Sequence, residues 1–257
     1  MVKSMTAVEM MGVSMSYAGL PVVDDFTLHI DKGEFLTLVG PSGCGKSTIL
    51  NIVAGFARAS SGVVRVADRD VAGPGPDRGV CFQQAALFPW LTLWDNITFG
   101  PRAQRRLDPE RRKRAAQLLT EFGLGEFLQH RPSQLSGGMQ QRAAIARILI
   151  NDPAVLLMDE PFGALDAQTR LRMQNFVMQV QAEFGSTILF ITHDVDEAIY
   201  MSDRVLVLST RPARIVEEIV IGESKPRTPD YLLSEQFRDH KSRAFKALQS
   251  SLEKEAA

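Results

Sequence analysis

Two hydrophobic patterns divide the chain. Continuous apolar runs of strand length occupy residues 35–39, 80–82, 155–158, 188–191 and 205–208, and unbroken apolar character is what strands buried on both faces of a parallel sheet require. Helical patterns over residues 47–57, 139–150 and 169–184 lie between several of them. Strands alternating with helices predict an α/β layered fold. Nearer the N-terminus the period shortens to two: Phe26, Leu28 and Ile30 alternate with Thr27 and His29, and Val64 and Val66 flank Arg65. That alternation predicts a small set of half-buried antiparallel strands.

From residue 90 to about 130 the pattern changes again, with a basic stretch over residues 102–114 followed by a helix over residues 115–122. We read it as part of a mostly helical lobe inserted into the core, spanning about residues 90–150. After Gly222 the chain turns polar, with one amphipathic helix expected around residues 234–252. The organisation expected is one domain over residues 1–221 and a short helical tail over 222–257. No apolar run approaches the roughly 18–20 residues that span a bilayer. Residues 1–15 also lack the apolar core of a signal peptide. The chain is therefore expected to reach a membrane only through a partner.

The strongest chemical motif follows the first of the continuous strands. Gly40, Pro41, Ser42, Gly43, Cys44, Gly45, Lys46, Ser47 and Thr48 stand between that strand and a helical pattern opening at Ile49. Glycines let the backbone wrap tightly, and N–H groups at a helix N-terminus favour anions, so this segment is a phosphate cradle. Lys46 is expected to reach the β- and γ-phosphates of ATP, Ser47 to offer a hard oxygen to Mg²⁺, and Thr48 to add a hydroxyl contact. The bland alternative is a glycine-rich turn without a ligand. Cys44 is read as tolerated in this loop rather than used; the alternative is a thiol whose pKa is lowered by Lys46 and the helix N-terminus, with alkylation blocking ATP and ATP protecting it.

Three other strands end in polar groups. Asp159 and Glu160 follow residues 155–158, Gln83 follows residues 80–82, and His193 follows residues 188–192. Ligands of open α/β sheets bind beyond the carboxyl ends of the strands. Asp159 is assigned to the Mg²⁺ shell, Glu160 to the water attacking the γ-phosphate, Gln83 to sensing metal and water, and His193 to the γ-phosphate. Leu135, Ser136, Gly137, Gly138 and Met139 form a second anion-binding helix start, capped by Ser136. The chain shows one cradle, so this second helix start has no nucleotide of its own. Two copies paired head to tail would let Ser136 and Gly138 of each close over the other's γ-phosphate.

Charge and cysteine content narrow the classes. Lys plus Arg total 29 against 30 for Asp plus Glu, a net charge of −1, which gives no global field for gripping nucleic acid. Cys44 and Cys81 form no metal-like pair, consistent with two free thiols in a reducing compartment.

The order of cradle, Gln83, the Ser136–Gly138 motif, Asp159 and Glu160, the segment Ala164, Leu165 and Asp166, and His193 resembles the ATP-binding subunits of ABC transporters. The likeness covers about residues 8–221. It implies a P-loop core with a mostly parallel sheet, an antiparallel β subdomain and a helical subdomain. It also implies ATP and Mg²⁺, a homodimer, transmembrane permease subunits, a solute-binding protein acting indirectly, and a peripheral place on the cytoplasmic face of the membrane. Tyr17 resembles the aromatic that stacks on adenine, with a core aromatic as the alternative, and Asp166 the residue that couples the two sites. The segments around Phe88 to Ile97, Thr192 to Ala198 and Ser209 to Ile215 look like the nitrate, sulfonate and taurine importer group. Residues from Phe88 to Leu93 carry apolar bulk on an expected loop, as a permease socket would, with packing inside the helical lobe as the alternative. The rivals are an ABC ATPase of DNA repair, chromosome maintenance or translation, and a P-loop kinase, which has no use for the Ser136 motif.

Overall fold

The computed structural model describes residues 6–163, 165–225 and 227–256. Residues 1–5 of the N-terminal segment and Ala164 of the motif before Asp166 lie outside the described residues. The strands are β1 (Thr6–Tyr17), β2 (Leu20–Asp31), β3 (Phe35–Val39), β4 (Ser61–Val66), β5 (Arg69–Asp70), β6 (Arg78–Cys81), β7 (Val155–Asp159), β8 (Ile188–Thr192), β9 (Arg204–Leu208) and β10 (Ile215–Val220). The helices are α1 (Lys46–Ala54), α2 (Leu93–Ala103), α3 (Pro109–Glu121), α4 (Gly137–Leu149), α5 (Ala167–Phe184), α6 (Val195–Met201) and α7 (Glu235–Ala256).

Six strands form one sheet in the order β10-β9-β3-β8-β7-β6, with β10 antiparallel to β9 and the other pairs parallel. Consecutive residues feed two different cores, one on each face. Phe35, Val39, Met158, Phe190 and Val207 face α4, α5 and α6, while Leu36, Leu38, Leu157, Ile191 and Leu208 face α1 and the second sheet. This is why the runs are continuous: a strand covered on both faces has no polar side to show. The polar exception in β3, Thr37, is buried and hydrogen bonds Ser202.

The second sheet is antiparallel, ordered β2-β1-β4-β5. In β2 the expected alternation holds, with Phe26, Leu28 and Ile30 buried and Thr27 and His29 exposed. Strand β1 escaped sequence reading because its buried set, Val8, Met10, Val13 and Met15, slips by one residue. The slip falls at a register shift around Gly12, whose φ of 57° is left-handed.

The helical lobe contains α2, α3 and α4. Helix α3 begins at Pro109, earlier than the expected start at Ala115, because Asp108 accepts a hydrogen bond from Arg111 N at 2.8 Å and Pro109 occupies the first turn. The basic residues are thus largely helical. Arg102 pairs with Asp95, and Arg111 and Arg114 pair with Asp152. The expected tail helix forms as α7 and packs back on the core, burying Phe237 and Ala244, with Lys241 bridged to Asp196 of α6. Arg227 donates to the carbonyls of Ile199, Tyr200 and Ser202, satisfying the C-terminal end of α6. No described helix is long and apolar enough to cross a membrane.

Candidate nucleotide site

Strand β3 delivers the chain to the sheet's carboxyl edge, and residues 40–45 turn it into α1. The turn needs glycine at Gly45, where φ is 119° and a Cβ would stand 2.9 Å from the Val22 carbonyl. Lys46 is buried, and its Nζ donates to the carbonyls of Gly40 at 2.8 Å and Pro41 at 2.9 Å. The turn opens on a cleft of about 330 Å³ lined by Tyr17, Ser42, Gly43, Lys46, Thr48 and Arg211 among others. Tyr17 is exposed at this cleft, which corrects the alternative of a core aromatic.

Across the cradle, Ser47 Oγ donates to Asp159 Oδ1 at 3.2 Å. Burial holds the Asp159 carboxyl above its usual value, against the opposing Ser47 hydrogen bond. The strand ends there. Glu160 takes a left-handed φ of 44°, which lets two neighbouring acids serve one site. Glu160 Oε2 lies 3.1 Å from His193 Nδ1, so one end of the imidazole is held by the carboxylate. Gln83 sits against Gly163, where a Cβ would come within 2.9 Å of its Nε2. Lys46, Ser47, Asp159, Glu160 and His193 therefore converge, with Gln83 at the turn that follows Glu160.

Ser136, Gly137 and Gly138 do not join them. Ser136 Oγ caps α4 by accepting from Met139 N at 3.3 Å, and a Cβ on Gly138 would meet Thr169 of α5 at 3.2 Å. Asp166 caps α5 beside them, and the Thr169 backbone N–H holds its carboxyl below the usual range. None of Ser136, Gly137, Gly138 and Asp166 lines the cradle's cleft.

Cys44 corrects the alternative of a lowered thiol pKa. Its side chain is buried, and burial pushes the thiol up, outweighing the pull of Lys46. Cys81, likewise buried, is pushed up to about 12. The thiolate is the reactive form. Native protein should therefore label with iodoacetamide at neutral pH far more slowly than glutathione does; equal rates with and without denaturant would contradict the burial.

Two functional candidates stood inside segments legible in the sequence but had no role of their own there. Gln141 is buried and donates to the Pro161 carbonyl at 2.8 Å, tying α4 to the turn after Glu160. Arg211 lines the cleft from the β9–β10 loop. The signal for Arg211 lay in the segment around Ser209 to Ile215, which sequence reading used only as a likeness.

A family model described as ABC transporter matches residues 23–163. The chain belongs to the ABC transporter family. As an ABC protein it is an ATPase. It is 47% identical to an ATP-binding protein of Brucella abortus (strain 2308) over 236 residues, covering 92% of this chain and 91% of that one. It is 49% identical to the taurine import ATP-binding protein TauB of Pelagibacter ubique over 194 residues, covering 76% and 73%. Among solved structures it resembles a dimeric post-hydrolysis state of the ATP-binding cassette MJ0796 bound to ADP and Pi, at 30% identity and a TM-score of 0.71, covering 84% of this chain and all of that one.

Proposed function

We propose that this ABC ATPase is the nucleotide-hydrolysing subunit of an importer for a small solute such as nitrate, a sulfonate or taurine. It works as a head-to-tail homodimer on the cytoplasmic face of the membrane, beneath separate permease subunits that a solute-binding protein supplies. The observation that carries the reading is an aromatic surface reached directly from the hydrolytic edge. Strand β6 leads through Gln83 into a loop where Trp90 is 67% exposed, with Phe82 and Phe99 also exposed and Phe88 packed against both Trp90 and Phe99. An open groove of about 360 Å³ passes Phe82, Phe88, Phe99 and Arg147. Its apolar floor suits a helix of the permease.

The geometry supports a role for each residue. Lys46 leaves the Gly40 and Pro41 carbonyls for the β- and γ-phosphates of ATP, and Tyr17 closes the open side of the cleft over the base. Ser47 and Asp159 fit a hard cation, since two oxygens 3.2 Å apart include one carboxylate strained by burial. Mg²⁺ bound there would neutralise charge developing on the phosphates. Glu160 takes a proton from the attacking water, His193 orients Glu160 and faces the γ-phosphate, and Gln83 aligns the water. Ser136, Gly137, Gly138 and Asp166 act on the partner's nucleotide. Phosphate release removes the charge that both copies share, and the pair opens.

We place the ATPase domain at residues 1–221 with its helical subdomain at about 90–150, and the tail at 222–257 as an appendage held by α6. The nucleic-acid reading is disfavoured by the pairing of Arg102, Arg111 and Arg114 with neighbouring acids. To test the whole assignment, Trp90→Ala subunit is reconstituted with its permease in vesicles. Truncating an aromatic anchor costs about 2 kcal/mol or more, so permease affinity falls by roughly 30-fold and solute uptake with it, while ATP binding persists. Undiminished uptake would remove the socket.

A further inference from the structure

A third wall of the nucleotide cleft is built by the β9–β10 loop, which is clamped from several sides. Ser209 Oγ donates to the Pro212 carbonyl at 2.9 Å and accepts from Arg214 N at 3.0 Å. Ala213 N donates to the Val22 carbonyl at 2.8 Å, and Arg214 bridges to Asp24 at 2.6 Å. Thr210 N donates at 3.1 Å to Ser251 Oγ, a hydroxyl of α7 that is 5% exposed. The clamp aims Arg211 into the cleft, where it shares the lining with Tyr17 and Lys46.

There the guanidinium donates to the Gly43 carbonyl through Nη2 at 3.0 Å and Nε at 3.3 Å. Arg214, by contrast, has its carboxylate. Among the described residues Gly43 is the partner Arg211 finds, so its charge meets no carboxylate and most of its N–H donors stay open to the solvent of the cleft. An uncompensated planar cation beside a phosphate cradle matches phosphate oxygens in both charge and shape.

We propose that Arg211 is a phosphate-contacting residue of this nucleotide site, and that Ser251 of α7 is the residue that positions it. The proposal rests on reading the cradle as the ATP site. Because Arg211 touches Gly43 and neither Glu160 nor His193, its contact is made to the part of the phosphate chain that ADP and ATP share. Affinity for both should therefore depend on it, and the C-terminal helix becomes a lever on nucleotide affinity.

The test measures dissociation constants of Mg-ADP and Mg-ATP on the full chain by calorimetry. Arg211→Gln keeps a donor for Gly43 but loses the charge, and is expected to weaken both nucleotides about tenfold, raising KM more than it lowers kcat. Arg211→Lys should recover most of the loss. Ser251→Ala should cost about threefold alone and nothing further in the Arg211→Gln background. Wild-type affinity in Arg211→Gln overturns the proposal, as does equal loss in the Gln and Lys variants with unaltered salt dependence; additive losses overturn the role of Ser251. Lys46→Ala is the control: if it too binds ADP like wild type, the cradle reading has failed rather than the assignment of Arg211.

Discussion

Glu160→Gln protein is expected to hydrolyse ATP roughly a hundredfold to ten-thousandfold more slowly than wild type, the range that a positioned general base contributes. The substitution is nearly isosteric. A glutamine oxygen can still accept from His193 Nδ1, 3.1 Å away in the wild type, so the imidazole keeps its orientation while the basic charge is lost. The left-handed backbone at Glu160 is held by the ladder bond from its own N to the Ile191 carbonyl at 3.0 Å, which the substitution does not touch. ATP binding should survive, and with Mg-ATP the variant should accumulate as a dimer in analytical ultracentrifugation. A variant that stays monomeric at high concentration with its permease supplied would sink the shared-nucleotide reading. Full activity would remove Glu160 from the chemistry.

The second large effect comes from mixing two inactive proteins. In the Glu160→Gln background, Lys46→Ala removes the cradle's cation and Gly138→Asp places a carboxylate where the partner's γ-phosphate is expected. Gly138 has space for a side chain at modest cost, since its nearest neighbour would be a Thr169 methyl at 3.2 Å. Each variant alone should fail to dimerise with ATP. Combined, they should form heterodimers, because one site then unites an intact cradle with an intact Ser136–Gly138 helix start. The intact site would restore the charge-assisted contacts that the two homodimers lack. If the mixture remains as monomeric as its components, the two motifs do not meet across an interface.

The parts of the site that were legible in sequence are those whose chemistry is local. The cradle is nine contiguous residues between a strand and a helix, and Asp159, Glu160 and His193 directly follow the apolar runs that position them. Ser136 could be read as a helix cap from its neighbours, whereas the capping of α5 by Asp166 appeared only in the structure. Strand β1 could not be read, because the bulge at Gly12 broke its period. The early start of α3 was masked by charge, although Asp108 and Pro109 marked it.

Cys44 shows why local chemistry alone can mislead. A neighbouring lysine argues for a reactive thiol, but folding seals that thiol under the loop, and the loss of solvation outweighs one nearby charge. Arg211 and Gln141 were hidden for the converse reason: each acts on a segment far from it in the chain, Gly43 and Pro161 respectively.

By itself, then, the order of residues specified the layered α/β design and the glycine-rich turn with the acids beside it, since periodicity and loop chemistry are properties of adjacent residues. Only the packed structure decided that the aromatic loop stays open and that a clamped arginine faces the cleft. Those depend on which distant segments the two sheets bring together, and sheet register is settled by burying both faces of the strands at once.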